Sequence, residues 1–187
     1  MTFAGFLPGL RFRLRRFVGD RDGVSAIEFA ILLPFMLLLY IGSVELAEGL
    51  AIQFKVTETA RTITDLASQQ ITIDATAMTG ILQASAEVVA PYSSSNMVMT
   101  VSEVTTNAAG QGTITWSCSL HGTAHPVGTS ITLPTALQTA NISLLWGEVT
   151  YPYTPQLGYV ITGTINIYET TYFYPRLVTS VALPQGC

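Results

Sequence analysis

Charge is scarce in this 187-residue chain: 11% of its residues are charged and 49% are hydrophobic, where an average soluble domain carries roughly 25% charge. Such a composition excludes a disordered chain, which combines low hydropathy with high charge. Cations are scarcer still beyond the first residues. Residues 1–23 hold five Arg and two Asp, a balance of +3, whereas residues 24–187 hold three cations (Lys55, Arg61 and Arg176) and ten carboxylates, a balance of −7, and the two sum to the net −4. A body this acidic excludes nucleic-acid binding through a basic surface. Histidine and cysteine number two each. His121 and His125 lie in a turn-rich stretch ahead of Pro126, with no paired cysteines and no H-E-x-x-H, so no metal is expected. Gly110 and Gly112 are followed by no Lys-Ser/Thr of a phosphate loop. The carboxylates Glu87, Glu103, Glu148 and Glu169 are scattered, and no base accompanies either cysteine. Neither a cofactor nor an enzymatic activity is expected.

What is present is a long apolar run. Val24 to Val44 is a stretch of 21 residues, about 31 Å as a helix, which matches the hydrocarbon thickness of a bilayer. Arg11, Arg13, Arg15 and Arg16 precede it, and Glu45 and Glu48 follow. The distribution of cations places the N-terminus in the cytoplasm and the rest across the membrane. A cleaved secretory signal has a shorter apolar region and an A-x-A site, and none precedes Glu45. Two residues stand out inside the run. Glu28 is a carboxylate where charge in hydrocarbon costs about 2.5–3.5 kcal/mol on insertion scales, so it is read either as a functional candidate or as a headgroup-level side chain hydrated one turn inside the membrane. Pro34 removes a backbone donor and predicts a helix kink.

Gly23-Val24-Ser25-Ala26-Ile27-Glu28-Phe29-Ala30, behind a basic leader and ahead of an apolar helix, resembles the processing site of type IV prepilins. More narrowly, it is similar to that of the TadE-like minor pilins, or pseudopilins, of the tight adherence (Flp) pilus machinery. The distal half shares the resemblance through Trp116-Ser117-Cys118, Leu133-Pro134, the stretch Glu148 to Pro155, Tyr174-Pro175-Arg176 and Cys187. The resemblance implies a cut between Gly23 and Val24 by a prepilin peptidase, which leaves Glu28 at the fifth place of a 164-residue mature chain, since 187 less 23 is 164. Phe29 departs from the Tyr that follows the glutamate in major Flp pilins, and with the long body it implies a minor component. The implied setting is the bacterial inner membrane, crossed once, with a periplasmic head that enters an extracellular pilus. The implied partners are the inner membrane, the prepilin peptidase, other minor pilins, the major Flp pilin and the assembly platform. The alternative is an uncleaved single-pass envelope protein whose head binds a partner without entering a filament.

The spacing organises the chain into a basic leader (1–23), a membrane helix (24–44), its continuation (45–70) and an α+β head (71–187). The stripe Ile52, Val56, Ile63 and Leu66 predicts that the first helix runs to about Gln69. Its opposite face of Thr57, Thr64, Ala67 and Ser68 is expected to meet neighbouring helices. A second helix is expected over 75–90, capped by Asp74 and ended by Pro91. Beyond it the period becomes two. Residues 97–104 and 113–120 predict a hairpin around the Asn107–Gly112 connector, with Ile114, Trp116, Cys118 and Leu120 on one face. Residues 145–153 and 159–168 predict a second pair, joined at 155–158. The sheet is expected to be small, antiparallel and packed on the first helix.

In an oxidising compartment Cys118 and Cys187 are expected to form a disulfide, with free thiols or an intermolecular link through Cys187 as the other outcomes. Tyr151 and Tyr153, within a run of aromatics from Trp146 to Tyr174, are read either as a sheet face or as an interaction surface. Arg176, the last cation, is read either as the partner of one carboxylate or as a solvated side chain.

Overall fold

The computed structural model describes residues 21–155, 158, 162–183 and 187. The leader arginines Arg11, Arg13, Arg15 and Arg16 lie outside the described residues, as does Tyr159, the expected start of the last strand. The elements are α1 (Arg21–Ser68), α2 (Ala75–Ala86) with a 3-10 turn at Glu87–Val89, β1 (Val98–Thr106), β2 (Gly112–Leu120), β3 (Ser130–Ile131), a 3-10 turn at Thr135–Leu137, β4 (Ser143–Tyr153) and β5 (Ile165–Phe173). All strand pairings are antiparallel, in the order β3-β2-β1-β4-β5. The fold is α+β. The chain divides into two compact units, one comprising Met1–Leu46 with Gln156–Thr162 and the other Ala47–Pro155 with Gly163–Cys187.

In the first unit the helix is apolar and outward-facing. Val24, Ile27, Phe29, Ile31, Leu32 and Phe35 are all at least half exposed, and the helix is long and apolar enough to cross a membrane. An exposed apolar surface of this kind marks a membrane or a protein contact. The helix is uninterrupted at Pro34. Glu45 is buried, in contrast to its apolar neighbours.

The second unit carries the cores. Ile52, Val56, Ala60, Ile63 and Ala67 of α1 are buried, and at successive offsets of four, four, three and four they form one helical face. They pack with Met99, Val101, Trp116, Cys118, Leu145 and Val149 of the sheet. This corrects two expectations. Leu66 is only partly buried, and Thr64, Ala67 and Ser68 are wholly buried inside the unit instead of being turned to neighbouring helices. Their smallness serves close approach of helix and sheet: at Gly147 of β4, a Cβ would meet Thr64 Oγ1 at 1.9 Å.

Helix α2 is shorter than expected, since the α geometry ends at Ala86 and the chain continues as a 3-10 turn before Pro91. Its cap is as expected, with Asp74 Oδ1 accepting from Ala77 N at 2.7 Å, which satisfies one of the orphan donors of the first turn. Met78, Leu82 and Val89 are buried.

The β1–β2 hairpin turns at Asn107, whose side-chain oxygen accepts from Ala109 N and Gln111 N, and at Gly110 with φ +77, a conformation open to glycine. The register slips inside this hairpin: Glu103 pairs with Trp116, but Val104 pairs with Ile114, leaving Thr115 as the extra residue. A bulge of this kind exchanges the faces of the strand beyond it. Ile114 therefore leaves the face of Trp116 and Cys118 and joins Val104, Leu133 and Leu144 in a second core on the other side of the sheet. That overturns the single face expected for Ile114, Trp116, Cys118 and Leu120.

Strand β5 begins at Ile165, later than expected, and continues through Phe173. Every one of its nine residues pairs with β4, from Leu145↔Phe173 to Tyr153↔Ile165.

Candidate assembly and interaction sites

The residues of the implied processing site lie in the opening turns of α1, which begins at Arg21. Val24 is 50% and Phe29 57% exposed, and Glu28 is exposed as well. Gly23 and Glu28 are thus presented along one helix, with the carboxylate on an outward-facing apolar cylinder. There it is expensive in lipid unless a cation neutralises it.

The distal cysteines form a disulfide, Cys118–Cys187, across 69 residues. The segment leading to it is strapped down at several points. Arg176 forms an ion pair with Asp65 of α1, and its backbone N–H donates to Ser68 O at 2.8 Å. This caps the C-terminal end of α1, whose last turn has no basic residue of its own, with a cation placed where the helix dipole favours it. Arg176 thus has one carboxylate partner while its side chain stays exposed to solvent. Ile73 N donates to Ala182 O at 2.9 Å, and Trp116 Nε1 to Val181 O at 2.7 Å.

Under the strap lies a carboxylate that the sequence left among the scattered ones. Glu103 is 2% exposed. Its Oε1 accepts from Ser143 Oγ at 2.6 Å, Ser180 Oγ at 2.8 Å and Val181 N at 2.8 Å, and its Oε2 accepts from Thr115 Oγ1 at 2.8 Å. Four neutral donors thus converge on one acid beside the bulge, satisfying a group that would otherwise be costly to bury.

On the opposite side of the sheet a row of rings stands in register. His125 stacks on Trp146 with centroids 4.9 Å apart and planes within 9°, and Trp146 lies parallel to Tyr172 at 6.1 Å and 6°. Beside the row, Glu148 Oε2 lies 2.5 Å from His125 Nε2, and Glu148 Oε1 accepts from Tyr168 Oη at 2.7 Å. Trp146 Nε1 donates to Thr170 Oγ1 at 2.7 Å. Burial, with the hydrogen bond to Glu148 behind it, raises the Tyr168 phenol above the usual tyrosine range, and burial does the same for Tyr172. His125 was unreadable as a member of this group because its loop has no period. Trp146 and Tyr172 are legible as members of the aromatic run, and Glu148 stands in the sequence among the scattered carboxylates.

Of the two tyrosines expected at an interaction surface, Tyr153 is buried, 4% exposed, and its hydroxyl donates to Glu48 Oε2 at 3.3 Å. Its ring belongs to the core. Tyr151 is half-buried against that core, and burial raises its phenol, with Tyr92 and Glu48 adding to the effect. Among the described aromatics from Trp146 to Tyr174, the exposed ones are Tyr168 and Tyr174. Among the described residues, no three metal-ligating side chains gather.

A long outward-facing apolar helix joined in sequence to an α+β unit, closed by a disulfide, defines the class: a candidate single-pass membrane protein with a folded extramembrane part. Residues 23–64, or 42 of the 187, match the family model described as TadE-like protein. The match supports a TadE-like protein of the Tad pilus machinery and implies a role in that system. No curated protein and no solved structure matches the chain.

Proposed function

We propose that the protein is a minor pilin of a tight adherence pilus, acting by helix packing and protein contacts and not by turnover. The observation that carries this reading is that the TadE-like match opens at Gly23, five residues ahead of a carboxylate on an exposed apolar helix. A prepilin peptidase cuts between Gly23 and Val24 on the cytoplasmic side of the inner membrane. The cut creates an ammonium on Val24 at the membrane boundary. Glu28 of a neighbouring subunit neutralises it when the helices are staggered, so that two costly charges become one pair that fixes register. Phe29 packs beside that pair. The periplasmic part then meets other minor pilins and the major pilin as the assembly platform draws α1 out of the bilayer.

Replacing Gly23 with Trp tests the cut, because a peptidase cleft that accepts a chain without Cβ is obstructed by a large ring. A longer precursor is expected to accumulate. Equal lengths for the variant and the unsubstituted chain point to the uncleaved envelope protein instead. Replacing Glu28 with Ala is expected to leave cleavage intact and abolish incorporation into sheared filaments; normal incorporation contradicts the register role.

A further inference from the structure

Among the described residues β5 ends the sheet, with β4 as its one strand neighbour, and none of its nine residues is buried. Exposed edges in natural sheets are blunted by proline, lysine, bulges or short length. Ile165–Phe173 is long, pairs with β4 without a register slip and contains neither proline nor lysine; its one charge, Glu169, accepts from Gln53 Nε2 at 3.3 Å. Its sequence is close to a palindrome about Thr170: Ile167-Tyr168-Glu169-Thr170-Thr171-Tyr172-Phe173.

We propose that the β5 edge is a docking surface for a second copy of this chain, paired antiparallel about a two-fold axis at Thr170. In that register Thr170 faces its own mate, Tyr168 faces Tyr172, Ile167 faces Phe173 and Glu169 faces Thr171. Aromatic, aliphatic and threonine pairs of this kind are the favourable cross-strand contacts, and an isologous interface demands such self-complementarity. The adjacent registers fail. Centring on Glu169 sets two carboxylates directly opposite each other, and centring on Thr171 sets Glu169 against Phe173 and Ile167 against Pro175.

The far-face geometry supports the same register. Tyr172 ends the row of His125, Trp146 and Tyr172 at the sheet edge. The mate's Tyr168 continues that row by one ring. Tyr168 and Thr170 are already held in place by Glu148 and Trp146, so pairing costs little side-chain ordering. The inference is independent of the pilus reading, since cleavage at Gly23 stands or falls apart from it.

The test is disulfide trapping on the full chain, in native membranes and in filaments sheared from the cells. A residue on the two-fold axis has its mate's Cα about 4.5–5.5 Å away, within disulfide reach. Thr170→Cys is expected to give a dimer on mild oxidation. Asn166→Cys, whose own mate lies eight positions off, about 26 Å at strand rise, is expected to stay monomeric. No trapping of Thr170→Cys in either fraction overturns the proposal, as does equal trapping of both variants. Because Thr170 also accepts from Trp146, a second measurement uses the unsubstituted chain. Native mass spectrometry of the detergent-extracted protein is expected to show a dimer that Thr170→Arg, which sets two cations face to face, reduces at least tenfold. Equal dimer fractions contradict the pairing.

Discussion

Glu103 shows what a single side chain does in this fold. All four of its contacts donate to it, from Ser143, Ser180, Val181 and Thr115, and of these the Val181 N–H can only donate. Glu103→Gln removes the charge that strengthens these bonds and makes the Thr115 hydroxyl turn from Oε2 to the Glu103 carbonyl; it is expected to cost about 1–3 kcal/mol, read as a lowered denaturation midpoint with unchanged slope. The tyrosines give a pH dependence. The folded-state values of Tyr168, Tyr172 and Tyr151 are raised, so folding favours their protonated forms. That contribution is full below the unfolded value of about 10 and is lost as pH rises through the folded values. Circular dichroism along an alkaline titration is expected to show unfolding that moves to higher pH in Tyr168→Phe, and an unmoved limb contradicts the assignment. At this scale the sequence was least informative. Glu103 and His125 have no periodic signature, because what makes them matter is contributed by residues distant in the chain: Ser180 for one, Glu148 for the other.

The elements were more legible, because period and caps are local physics. The long helix, the second helix behind Asp74 and the first hairpin follow from spacing alone. Two expectations fail for different reasons. Alternation sets Ile114 on the Trp116 face, and the bulge at Thr115 that moves it leaves no mark in the pattern. Thr64, Ala67 and Ser68, small and partly polar, suit an outward face in sequence, whereas in the fold their smallness is what brings α1 against β4. Gly147 makes this testable. A Cβ there meets Thr64 Oγ1 at 1.9 Å and Ala60 O at 3.2 Å, so Gly147→Ala is expected to destabilise by about 1–3 kcal/mol as overpacking. Thr64→Ala in the same chain is expected to recover part of that loss, since it removes the nearest atom. Additive losses in the double-mutant cycle contradict the close approach.

For the whole molecule, the disulfide and the strap tie the end of the chain to α1 and the sheet. Closing a loop of this length, 69 residues in separation, contributes about 4 kcal/mol in the chain-entropy model. Cys187→Ser is expected to lose much of that in denaturant melts, while the strap persists through Glu103, Trp116 and the Asp65–Arg176 pair; loss of protection at Val181 in hydrogen exchange contradicts a strap held independently. The candidate membrane span was legible from composition because a bilayer imposes length and apolarity on contiguous residues. The register role of Glu28 rests on a charge created by processing, and that event is directly measurable. Intact-mass determination of the protein extracted from native membranes tests it: the account predicts a chain of 164 residues beginning at Val24, the 187 of the sequence less 23, and a chain that retains residues 1–23 contradicts it.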